Sequence, residues 1–202
     1  MKKGKLFVIS GPSGVGKGTI SKRILDETPI EFSVSMTTRA PREGEVDGKS
    51  YFFVTHEQFK QKIEEGGFLE YAEVYGNFYG TPLAQTEARL EAGIDVLLDI
   101  DIQGAMNVKK LCPDGVFIFI LPPSLEELRN RIIGRGSETE ESLKIRMGGV
   151  LEELKYAKEY DYCVINQDLD DAVDTVKAIW TAEHSKFSED IYQQINMNKE
   201  DK

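Results

Sequence analysis

Cysteine, histidine and long hydrophobic runs are scarce in this chain, and each scarcity closes off a class of protein. Its 202 residues include 2 cysteines, Cys112 and Cys163, far apart and without histidine neighbours. Neither a disulfide framework nor a zinc site is indicated. The 2 histidines, His56 and His184, stand isolated and at neither ligand nor triad spacing, so no chemistry is assigned to them. The longest apolar run, Val116–Leu121, is far short of a membrane span. Met1-Lys-Lys before Leu6–Ile9 has the outline of a secretion signal, but the run is too short and no cleavage site follows. The expected location is the cytoplasm. Basic residues are also in deficit, 25 Lys and Arg against 35 Asp and Glu, for a net charge of −10. Proteins that neutralise many nucleic-acid phosphates are basic, so no nucleic-acid partner is expected and any anion site has to be local.

The length suits one core with small insertions rather than two independent domains. Four apolar residues, Leu6, Phe7, Val8 and Ile9, run straight into Gly11-Pro-Ser-Gly-Val-Gly-Lys-Gly-Thr19, and a helical pattern starts near Lys17. Strand, glycine-rich turn and helix is the setting in which G-x-x-x-x-G-K acts as a phosphate-binding loop. The glycines let successive N–H groups converge on one anion, and the positive end of the new helix points there too. The residues expected to cradle a nucleoside triphosphate are therefore Gly11, Pro12, Ser13, Gly14, Val15, Gly16, Lys17, Gly18 and Thr19. Lys17 is the mobile cation that follows a transferring phosphoryl group. Gly18 stands where Ser or Thr usually helps hold magnesium, with Thr19 one step later. That points to an ion held through water, nucleotide phosphates and acids elsewhere.

Short apolar runs alternate with helical patterns, which predicts an α/β fold with a parallel sheet covered on both faces. Strands are expected at Lys5–Ser10, Glu31–Met36, Asp95–Asp101, Val116–Leu121 and Tyr162–Asn166. Helices are expected at Lys17–Glu27, Ile102–Leu111, Ser124–Ile133, Glu138–Tyr160 and Leu169–Ser185. Two stretches interrupt this rhythm. Residues 37–92 carry Tyr51-Phe-Phe-Val54, a helical piece near His56–Glu65 and Phe68–Val74, which reads as an inserted, more antiparallel subdomain. Gly134-Arg-Gly136 separates two helices that each open with a capping box, Ser124 with Glu127 and Ser137 with Glu140. That arrangement reads as a hinged lid over about 126–159. The core then comprises 1–36, 93–125 and 160–190, with a polar tail at 191–202.

Candidate site residues follow from chemistry. Arg39 and Arg42 flank Pro41 in Ser35-Met-Thr-Thr-Arg-Ala-Pro-Arg42, so two guanidinium forks can meet one dianion, with Tyr51 and Tyr79 as further donors. A second phosphate site beside a phosphate loop suggests transfer between them. Asp99 and Asp101 fall at the carboxyl end of a buried strand, where ligands of open α/β sheets collect. Asp99 is expected to orient water around magnesium. For Asp101, ligand binding and capping of the helix from Ile102 stand level. Glu70 lies in an apolar segment, where a carboxylate needs partners. Guanine offers N1–H and N2–H₂ side by side, which a carboxylate fork accepts, whereas adenine N1 is itself an acceptor. Arg146 lies on the edge of a stripe formed by Leu143, Met147, Val150, Leu151 and Leu154. Arg131 borders a stripe of Leu125, Leu128 and Ile132, and Arg135 sits at the hinge.

These segments, with Gly44-Glu45, Asp47-Gly48, Tyr79-Gly-Thr81, Leu98-Asp-Ile-Asp-Ile-Gln-Gly104 and Arg131-Ile-Ile-Gly-Arg-Gly136, closely resemble the guanylate kinase family over residues 4–185. The resemblance implies a P-loop core with a five-stranded parallel sheet, an inserted mixed GMP-binding subdomain and a helical lid. It implies phosphorylation of GMP by ATP with magnesium, in purine nucleotide metabolism. Ser35, Glu70 and Asp101 would read guanine, Arg39, Arg42, Tyr51 and Tyr79 would hold the GMP phosphate, and Glu45 and Thr81 would belong to the same site. Lys17, Arg39, Arg131, Arg135 and Arg146 would surround the phosphates in transfer, and Asn166 would lie near the adenine of ATP. Two rival readings are a non-catalytic scaffold on the same frame and a kinase of another phosphorylated small molecule. Whether the chain pairs with a copy of itself stays open.

Overall fold

The computed structural model describes residues 3–74, 76–134 and 140–187, without the side chains of 140–142, 144 and 145. Five strands, β1 (Leu6–Ser10), β2 (Glu31–Phe32), β7 (Val96–Asp99), β8 (Val116–Leu121) and β9 (Tyr162–Ile165), form one parallel sheet in the order β2-β7-β1-β8-β9. All five residues of β1 are buried, as the unbroken apolar run requires of a strand covered on both faces. Alternation then divides its side chains. Phe7 and Ile9 join Ile20 and Ile24 of α1 (Lys17–Glu27), Leu128 of α5 (Leu125–Ile133), Val150 of α6 (Glu140–Leu154) and Val173 of α7 (Leu169–Ser185). Leu6 and Val8 join Leu90 of α3 (Leu83–Glu91) and Ile102, Ala105 and Val108 of α4 (Ile102–Leu111) on the other face. Each large aliphatic or aromatic side chain among these is worth roughly 1.5–3 kcal/mol when fully buried, so two apolar layers hold the sheet and fix the loops at its carboxyl edge.

A second sheet is mixed, in the order β4-β3-β6-β5: β3 (Met36–Thr37), β4 (Phe52–Phe53), β5 (Phe68–Val74) and β6 (Asn77–Pro82). β3 runs parallel to β4 and antiparallel to β6, which also pairs antiparallel with β5. Helix α2 (His56–Glu64) covers it through fully buried Phe59, stacked at 4.4 Å on Phe68 and 5.4 Å on Phe78. The ladder slips one residue between Phe68 and Glu70. This bulge makes Leu69 and Glu70 consecutive buried residues, at 5% and 8% exposure, which a regular strand with its alternating faces does not allow.

Several expected elements change. The strand expected at Glu31–Met36 divides, Glu31–Phe32 joining the large sheet and Met36–Thr37 the small one. The strand expected at Asp95–Asp101 stops at Asp99, because Asp101 caps α4 by accepting from the Gly104 N–H at 2.7 Å. Residues 37–92 hold a second helix, α3, besides the helical piece expected near His56–Glu65. Leu151 and Leu125, assigned to apolar stripes, are 48% and 43% exposed. Leu143, Val150, Leu128 and Ile132 are buried as expected. His184 is not isolated: its Nε2 lies 2.6 Å from Asp95 Oδ2, which also accepts from Trp180 Nε1 at 2.6 Å. Asp95 Oδ1 accepts from the Lys5 N–H at 2.7 Å. This cluster lies just ahead of β7, at the amino edge of the sheet, and ties α7 to it.

Candidate active site

The glycine loop leaves the end of β1, the central strand, where strand order reverses and crevices form in open α/β sheets. Gly16, the residue before α1, has φ +97°, and a Cβ there would lie 2.5 Å from Asn166 Nδ2. Both conformation and space therefore require glycine at this position. Asn166, just past β9 and 7% exposed, donates from Nδ2 to the Val15 carbonyl at 2.8 Å. Asn166 is thus a brace beneath the loop. Lys17 Nζ donates to the carbonyls of Gly11 at 2.6 Å and Pro12 at 3.4 Å. A hollow of about 380 Å³ is lined by Pro12 to Thr19 and Asp99.

A second cavity, about 260 Å³, adjoins it and shares Lys17 and Asp99. Its other walls are Ser35, Ile100 and Asp101, with Tyr51, Tyr79 and alternate residues Glu70, Ala72 and Val74 of β5. Glu70 Oε1 accepts from the Thr81 hydroxyl at 2.7 Å. Burial pushes the Glu70 carboxyl up to about 7, against the opposing pull of Thr81 and with a smaller push from Asp101. Asp101 caps α4 and also lines the cavity. Asp99 Oδ2 accepts from Ser21 Oγ at 3.0 Å. Burial raises the Asp99 carboxyl, with Lys17 pulling the other way. A Cβ at Gly18 would stand 3.9 Å from Asp99 Oδ2, so a larger residue at 18 would occupy the space in front of that carboxylate.

The arginine loop stands beside this cavity, with the Arg39 fork turned inward on the loop. Arg39 Nη2 donates to both Glu45 oxygens, at 2.8 and 3.0 Å, and the Arg42 N–H donates to Glu45 Oε2 at 2.7 Å. The Arg39 guanidinium also lies 5.5 Å from the centre of the Tyr51 ring, which meets Tyr79 edge-on at 6.0 Å. Arg42 is exposed. Arg131 donates to Glu127 Oε1 at 3.0 Å and to the Asn166 carbonyl at 3.1 Å, which joins α5 to the brace of the glycine loop. Arg146 on α6 reaches Ser13 Oγ at 3.2 Å. Arg135, with the Ser137 cap, lies outside the described residues.

Some contributors escape sequence reasoning. Half-buried Glu153 lies two turns beyond Arg146. Burial pushes its carboxyl up, with Lys17 and the Ser13 backbone near enough to pull it down, and its Oε2 has no hydrogen-bond partner among the described residues. Its i+7 spacing from Arg146 was the available signal. Ser21, which holds Asp99, follows the loop by two residues and shows no motif of its own.

No group of three or more His, Cys, Asp or Glu able to hold a metal is found among the described residues, and no described helix is long and apolar enough to cross a membrane.

The family model described as guanylate kinase matches residues 3–183. The chain is 53% identical over 200 residues to the guanylate kinase of Clostridioides difficile, covering 98% of this chain and 97% of that one. It is 57% identical over 182 residues to the Clostridium acetobutylicum guanylate kinase, covering 90% and 87%. The crystal structure of guanylate kinase from Anaplasma phagocytophilum superposes with a TM-score of 0.77 at 38% identity, covering 92% of this chain and 88% of that one. With its phosphate loop, its second acid-lined cavity and a family match spanning nearly all of its length, this chain belongs to the guanylate kinase family.

Proposed function

We propose that the chain transfers the γ-phosphoryl group of ATP to GMP, and to dGMP, giving ADP and GDP. The observation that carries this reading is the adjacency of the two cavities, which share Lys17 and Asp99. The glycine-loop hollow takes the ATP phosphates. The second cavity takes GMP, its guanine edge turned to Glu70, Asp101 and Ser35 and its phosphate to Tyr51, Tyr79 and the Arg39–Arg42 loop. An ionised Glu70 accepts from N1–H and N2–H₂, and adenine at the same place sets acceptor against acceptor. Glu45 acts by holding the Arg39 fork, and Thr81 by holding Glu70.

The acceptor oxygen of GMP is already anionic near neutral pH, so no side-chain base is required. Lys17, Arg131 and Arg146 offset charge spreading over the transferring group, and Arg135 is assigned the same role from the resemblance alone. Closure of the segments over 37–92 and about 126–159 would bring the two substrates in line and exclude water. Magnesium fits the donor set: Asp99 offers hard carboxylate oxygen at the mouth of the hollow, and Gly18 leaves room for water between them. Bound there with the ATP phosphates, the ion would neutralise phosphate charge. Adenine contact by Asn166 would use its side-chain oxygen or the second Nδ2 hydrogen, since the first is committed to Val15.

The test is ADP formation from ATP and magnesium with GMP, dGMP, AMP and UMP in parallel. Turnover with GMP and dGMP far above AMP and UMP is expected. Absence of GMP-dependent ADP overturns the reading.

A further inference from the structure

Gly104 is the third residue of α4, and a Cβ built on it would lie 2.8 Å from Glu70 Oε2 and 3.3 Å from Asp101 Oδ1. Its backbone is ordinary helix, and it is not among the glycines with positive φ. Conformation therefore does not require glycine here, and alanine would be the better helix former. What glycine supplies is space.

The space lies between the two carboxylates of the second cavity. Asp101 Oδ1 is fixed from one side by the Gly104 N–H at 2.7 Å. Glu70 is fixed from the other, its Oε1 held by Thr81 at 2.7 Å. Its Oε2 approaches the first turn of α4, where the helix presents its positive end to a carboxylate. Neither backbone can readily retreat from an added methyl group. Ile102, Ala105 and Val108 anchor α4 in the core, and β5 is paired with β6 on both sides of Glu70. What an added methyl group would displace is therefore Oε2 of the Glu70 carboxylate, the group that meets the base.

We propose that Gly104 is a specificity-determining positioning residue: the missing side chain sets the distance and tilt of the Glu70 carboxylate relative to Asp101, and so admits a purine edge with two adjacent N–H donors. The inference rests on the guanine reading given above and extends it to a residue that need not touch the nucleotide. A methyl group at 104 turns Glu70 Oε2 away from the helix and leaves one donor of the base unpaired, while the glycine loop is untouched.

The test compares wild type, G104A, E70A and the double variant E70A/G104A, with kcat and KM for GMP, AMP and ATP and the thermal midpoint of each. G104A is expected to keep or raise the midpoint and to leave KM for ATP within twofold. It should raise KM for GMP about tenfold or more and lower the GMP-over-AMP ratio of kcat/KM by a similar factor. Adding G104A to E70A should cost less than a further twofold, since the displaced group is already gone. G104A with unchanged KM for GMP and unchanged selectivity overturns the inference, as does a double variant in which the two losses multiply. If E70A itself leaves the GMP-over-AMP ratio unchanged, the guanine reading fails first and the role of Gly104 falls with it. A selective E70A effect beside a neutral G104A removes Gly104 alone.

Discussion

Thr81 Oγ1 stands 2.7 Å from Glu70 Oε1, and the two residues are 0% and 8% exposed. Among the described residues this buried carboxylate has no ion-pair partner, and the hydroxyl holds it in one orientation. Hydrogen bonds to charged groups contribute roughly 1.5–3 kcal/mol. Thr81→Val keeps the shape of the side chain and removes the donor. It should raise KM for GMP by about tenfold or more, leave KM for ATP unchanged, and be largely reversed in Thr81→Ser, all readable in steady-state kinetics.

The second prediction concerns pH. Burial holds the Glu70 carboxyl at about 7 in the folded chain, against 4.5 for an ordinary glutamate. The folded chain thus keeps a proton that the unfolded chain releases. The stability this group contributes is fully present below 4.5 and is lost as pH rises through 7. Guanine binding has the opposite dependence, because only the ionised carboxylate accepts from both donors. Affinity for guanosine, which has no titrating phosphate, should increase from pH 6 to 8 in calorimetry. In Glu70→Gln the slope should vanish.

Asn166 yields a prediction on the opposite side of the site. Asn166→Ala strips the buried Val15 carbonyl of its donor. Leaving such a group unpaired costs about 1–3 kcal/mol. Loosening of the glycine loop should raise KM for ATP several-fold with little effect on KM for GMP, the mirror image of the Thr81 variant.

At the amino edge of the sheet, Asp95 accepts from Lys5 N and Trp180 Nε1 and contacts His184 Nε2. Asp95→Ala leaves these groups without their acceptor, at a cost of roughly 2–4 kcal/mol. The thermal midpoint should fall by about 4–16 °C while KM for both substrates holds. A changed KM would mean that the two ends of the sheet are coupled.

Much of this architecture was legible because its determinants are local. Lys17–Glu27, Ile102–Leu111, Val116–Leu121 and Leu169–Ser185 appear with the bounds that periodicity and caps predict. The glycine loop was legible because its spacing is its chemistry. The small sheet was less so. A two-residue strand such as β3 or β4 has no period to detect, and its partners lie up to 44 residues away along the chain. The bulge before Glu70 is likewise a property of pairing, and it buries Glu70 together with its neighbour Leu69. His184 found its partner 89 positions away, and the reason for glycine at 104 lies 34 positions away in Glu70, beyond any local pattern.

The most direct measurement follows the transferred group itself. With ATP labelled in its γ-phosphate, GMP and magnesium, the label should appear in the β-phosphate of GDP, one equivalent for each ADP formed and with little inorganic phosphate. Label released as inorganic phosphate, or ADP formed at the same rate without GMP, would contradict transfer between the two adjoining cavities.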